Sequence, residues 1–122
     1  MDLTGHGVRM VRFSAGGHAF AVEARHVRAM LTTAPEQARQ AEDLLGLALL
    51  PGPRRWLVME ADGVPHCIEV AEPVRLQVID AQDIHLPPPL LAARLTLPAL
   101  IAIAFDHQGP VLVLDPLSLL VR

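Results

Sequence analysis

From Arg55 to the end of the chain, apolar segments of strand length alternate with turn residues, a punctuation that favours a small β-rich fold. Arg55-Trp56-Leu57-Val58-Met59-Glu60 runs into Asp62-Gly63, a pair suited to a tight hairpin, and Cys67-Ile68-Glu69-Val70 returns. Val74-Arg75-Leu76-Gln77-Val78-Ile79 comes next, and Pro73 before it predicts an edge or a bulge. The prolines in Leu86-Pro87-Pro88-Pro89-Leu90-Leu91 exclude a helix interior and predict an extended surface crossing. Ala99 to Phe105 and Val111 to Leu114, separated by His107-Gln108-Gly109-Pro110, read as a hairpin buried on both sides. Asp115-Pro116 then opens a terminal helical turn, with aspartate as N-cap and proline at the first position. Turn signals about every eight to twelve residues suit a small barrel or sandwich.

The first part of the chain is more mixed. Val8 to Phe13 alternates apolar and basic residues, as a half-buried strand does, and Ser14-Ala15-Gly16-Gly17 turns it back into His18-Ala19-Phe20-Ala21-Val22. Glu23 to Leu31 reads as a short helix with Ala24, Val27 and Met30 or Leu31 on one face. Thr33-Ala34-Pro35-Glu36 has capping-box spacing, which predicts a second helix running to Leu45 and stopping at Gly46. Pro51-Gly52-Pro53 is a rigid turn leading to the strand near Arg55.

At 122 residues the chain is one domain with a modest core, and an apolar content of 52% argues against disorder throughout. No apolar run approaches the roughly 18 to 20 residues that span a bilayer, and no basic stretch followed by an apolar one marks a signal peptide. A cytoplasmic protein without membrane insertion is expected. A net charge of −3 argues against nucleic acid as a partner. All ten basic residues are arginine, each a planar fork suited to interfaces. A single Cys67 excludes an internal disulfide and suits a reducing compartment.

No catalytic constellation stands out. His6, His18, His26, His66, His85 and His107 are scattered, and only His66 and Cys67 are adjacent, on opposite faces of a strand. None of these spacings is that of a zinc motif. Cys67 reads as a small buried thiol, Ser14 and Ser118 lack a nucleophile-elbow pattern, and Asp80, Asp83 and Glu72 read as solvated carboxylates. Trp56, the sole tryptophan, is read as core, with an interface anchor as the alternative. Val27, Met30 and Leu31 form an apolar group that either packs the short helix on a barrel or lines a docking groove.

Taken in order, Arg12 to Leu31 and Arg54 to Leu120 resemble the CheW-like domain, the coupling module that links bacterial chemoreceptors to their histidine kinase. The resemblance rests on the order and spacing of apolar segments. It implies a mainly β fold of two small SH3-like five-stranded barrel lobes with short helices, no cofactor and no enzymatic activity. It also implies an adaptor that binds the cytoplasmic tip of methyl-accepting chemoreceptors, and the kinase regulatory domain or another coupling protein. Val27 matches the family position where receptor contact occurs, so Val27, Arg28, Met30 and Leu31 are the implied receptor-facing residues.

The chain departs from that pattern between Leu31 and Asp43-Leu44-Leu45-Gly46. The family's Asn-Leu-Arg-Gly turn and its flanking strands are absent there, a shortfall of about 18–20 residues, enough for two strands. The corner that the family writes Val-Asp-x-x-Val reads Val70-Ala71-Glu72-Pro73-Val74. This shortened form resembles the divergent second coupling protein of the Frizzy motility-reversal system more than a standard coupler. It implies a reduced first lobe, either incomplete or re-covered by the helix expected over Thr33 to Leu45, and a kinase contact weakened or lost. An edge left by missing strands would also be a template for a homodimer. The alternative, from another class, is a small β-barrel module that binds a ligand or a metal through its histidines.

Overall fold

A computed structural model describes residues 7–87 and 98–121. Among the described residues nine strands form one sheet, eight of them on a single path, and the pattern of burial splits it into two lobes. The strands are β1 (Gly7–Ala15), β2 (His18–Glu23), β3 (Val27–Leu31), β4 (Arg39–Gln40), β5 (Arg54–Ala61), β6 (Val64–Asp80), β7 (Ile84–His85), β8 (Leu100–Asp106) and β9 (Gly109–Leu114). Among the described residues two five-residue α-helices, α1 (Ala41–Leu45) and α2 (Pro116–Leu120), accompany it. The path runs β3-β5-β6-β1-β2-β9-β8-β7, with β4 against β6; β2–β9 and β4–β6 are parallel and the other pairs antiparallel.

Alternation of side chains explains how one sheet serves two cores. On β1 and β2, Phe13 lies opposite Phe20 and Val11 opposite Val22, and Phe13, Phe20 and Val22 enter the first core. The two phenyl rings stack with centroids 5.9 Å apart. On the other face Met10 and Ala21 enter the second core, with Ile79, Ala102, Ala104, Val111 and Val113. β9 divides in the same way: Val111 and Val113 belong to the second core, Leu114 to the first. The result is the mainly β, two-lobed arrangement of SH3-like lobes that the resemblance implies.

β6 joins the lobes. Its first half pairs with β5 from Ala71 back to Val64, and its second half pairs with β1 from Arg75 to Asp80. Pro73 does not interrupt the strand; it lies where the β1–β6 register slips, between Arg12 and Ser14, at the bulge that proline predicts. The hairpin turn falls on Asp62 (φ 55°) and Gly63 (φ 73°), a pair of left-handed residues that matches the strand twist. The chain turns at Gly16 and Gly17 between β1 and β2, and β5 starts at Arg54, directly after Pro51-Gly52-Pro53. Asp115 caps α2 with Pro116 in its first turn, as expected.

Three expectations need correction. Glu23 to Leu31 is not a helix: a 3-10 turn at Ala24–His26 leads into β3, which pairs with β5. A nine-residue helix is marginal without packing, and the ladder to β5 satisfies the backbone instead. The helix predicted from Thr33 forms only over Ala41–Leu45, although it does stop at Gly46. From Thr33 to Gln40 every residue is exposed except a half-buried Pro35, so a helix there would have no apolar stripe to bury. Ala41 and Leu44 of α1 do reach the first core. The closing hairpin is only partly buried: Ala102, Ile103 and Ala104 are inside, yet Ile101 and Phe105 are exposed. Most of the proline-rich stretch lies outside the described residues; Leu86 and Pro87 carry no regular structure.

Candidate protein-interaction surface

The four residues nominated by the sequence lie along β3 and do not share one face. Val27 is half-buried against the first core, opposite Met59. Arg28 is exposed and ion-paired to Glu60 of β5. Met30 is 51% exposed, and Leu31 is half-buried opposite Trp56. A register slip between Val27 and Ala29 breaks the alternation, so the strand presents mixed chemistry along its edge. Among the described residues β3 pairs only with β5, which leaves its outer backbone edge free.

A stronger feature was missed in the sequence. Val74, Leu76 and Val78 of β6 share a face with Val11 of β1, and that face begins as the wall of the first core. Val11 and Val74 still pack against this core, but Leu76 is 55% exposed and Val78 is 62% exposed. The sheet therefore runs out from under the first lobe between Val74 and Leu76, and its apolar side chains continue into solvent. Val78 lies over the start of β1: a Cβ at Gly7 would sit 2.6 Å from Val78 Cγ1. Arg9, exposed, lies opposite Val78 on β1, and Gly7, Val8 and Arg9 line a concavity with Glu23, Ala24 and Arg25. Val27 follows that 3-10 turn directly, which places it at the border of the strip.

The other side of the strip is a seam. Beyond Ala71 the edge of β6 that β5 occupies has no strand partner among the described residues. Side chains bridge from β6 to the β8–β9 turn instead: Gln77 Nε2 donates to Asp106 Oδ2 at 3.2 Å and Arg75 Nη2 to Gln108 Oε1 at 3.1 Å. Arg12 of β1 pairs with the same Asp106. Burial alone would raise the Asp106 pKa, but the Gln108 N–H, the Gln77 amide and Arg12 outweigh it and hold the carboxyl below its ordinary value. The seam leaves a groove lined by Gln77, Val78, Asp80, Asp83, Phe105 and His107. Phe105 is 49% exposed and meets His85 edge-on at 5.8 Å.

Cys67 lies mid-strand opposite Val58; burial first, and the Glu69 carboxylate second, push its thiol pKa up, away from a nucleophile's range. Among the described residues no three of His, Cys, Asp and Glu converge closely enough to hold a metal ion. Trp56 is half-buried, with its Nε1 enclosed and without a hydrogen-bond partner. No described helix is long and apolar enough to cross a membrane.

No protein-family model matches the sequence, and no curated protein matches it significantly. Solved structures do match. The crystal structure of the scaffolding protein TtCheW from Thermoanaerobacter tengcongensis superposes with a TM-score of 0.77 at 16% identity, over 95% of this chain and 94% of that one. At that identity the likeness concerns the fold, and the chain has the fold of a CheW scaffolding protein.

Proposed function

We propose that this chain is a non-catalytic chemosensory adaptor of the cytoplasm, which couples chemoreceptor signalling tips into arrays and whose kinase contact is weakened or lost. The observation that carries the reading is the exposed strip of Leu76 and Val78, an apolar surface emerging between the lobes of a scaffold fold. A helical receptor tip would lay its apolar ridge on these side chains, with Val27 at the border of the contact. Arg28, Met30 and Leu31 continue from Val27 along the free edge of β3, where a second protein contact is available. The short connection between β3 and α1 supports a role nearer to the second coupling protein of the Frizzy system than to a standard coupler, and the free edge is also where a homodimer would form.

The test is a titration of the purified protein against a receptor cytoplasmic tip and, separately, the kinase regulatory domain of the same genome. Receptor binding without kinase binding is expected. Val78→Glu, at a side chain already in solvent, should weaken receptor binding at least tenfold while leaving the fold intact. Undiminished binding by a folded Val78→Glu protein would remove the strip from the interface, and no receptor binding by the wild type would overturn the adaptor reading.

A further inference from the structure

We draw no further inference here: the strongest candidate, the outer edge of β3, where Met30 lies opposite the buried Leu57 yet is 51% exposed and no further strand pairs among the described residues, carries nothing, because nothing in the structure shows what covers it.

Discussion

Arg54 holds Glu42 in a two-pronged ion pair, with Nη2 2.7 Å from Oε1 and Nη1 2.9 Å from Oε2, and Glu42 is 1% exposed. The pair fastens α1 to β5, and Arg54 Nε also donates to Glu69 of β6 at 3.0 Å. Removing Arg54 strands the buried Glu42 carboxylate, so Arg54→Ala should cost about 3–5 kcal/mol. Glu42→Ala leaves Arg54 paired with Glu69 and should cost less. Replacing Arg54 as well should cost less than the two single changes together. Urea denaturation of the two single variants and the double variant checks this, and additive costs would mean that the pair is not coupled.

The same contacts set how stability depends on pH. The hydrogen bonds from Arg54, first in size, lower the Glu42 pKa from its ordinary 4.5; burial opposes them, and the Glu42 N–H, the Arg54 charge and the Gly16 N–H assist. Asp106 is likewise held below its ordinary 3.8. A carboxylate with a lower pKa folded than unfolded contributes stability that is complete above the unfolded value and is lost as pH falls through the folded one. These two groups should therefore leave stability unchanged at neutral pH and erode it below about pH 5. Glu42→Gln and Asp106→Asn should each flatten that acid limb in thermal melts between about pH 3 and 7. A wild type whose acid limb is unchanged by either substitution would contradict the assignment.

Gly16 turns β1 into β2 at φ 57°, and a Cβ there would lie 2.7 Å from Leu47 Cβ. Gly63 has φ 73° but nothing within 4 Å of the same position. Gly63→Ala should cost about 1–2 kcal/mol for the left-handed backbone alone. Gly16→Ala adds a clash with a side chain anchored at its own Cβ, and should cost more by at least about 1 kcal/mol. Equal midpoints for the two variants in urea would show that Leu47 moves aside freely.

What the sequence made legible is local. Asp62-Gly63, the stop at Gly46 and the Asp115-Pro116 start each depend on a few consecutive residues, and the structure places all three as expected. β3 was misread because its conformation depends on β5, more than twenty residues on, while Val27 and Met30 fit a helical period by coincidence of spacing. Thr33 and Glu36 have capping-box spacing, but with nothing apolar between Glu36 and Gln40 except Ala38 the helix had no core to join. The strip was invisible for another reason. Alternation in Val74-Arg75-Leu76-Gln77-Val78-Ile79 separates two faces correctly, yet it cannot say that the first lobe stops covering one of them after Val74.

Cys67 should behave as a packed side chain. Its raised pKa leaves little thiolate at neutral pH, so alkylation by iodoacetamide should be slower in the native protein than in urea-unfolded protein at the same pH, and should accelerate as pH rises. Rapid native labelling at pH 7, timed by mass spectrometry, would instead mark the thiol as activated.

Asp115 closes the fold at its other end. Its carboxylate accepts from the Leu117 N–H at 3.3 Å and from the Ser118 hydroxyl at 3.0 Å, while its own N–H donates to Ala99 O at 2.8 Å. Those bonds start α2, whose Leu119 and Leu120 are buried in the first core. Asp115→Ala leaves the backbone bond in place and removes only the cap, so the loss should be about 1 kcal/mol. Asp115→Asn keeps an acceptor for Leu117 and should restore most of it. If alanine costs nothing in a urea titration, the packing of Leu119 and Leu120 alone positions the helix, and the cap contributes only to where it begins.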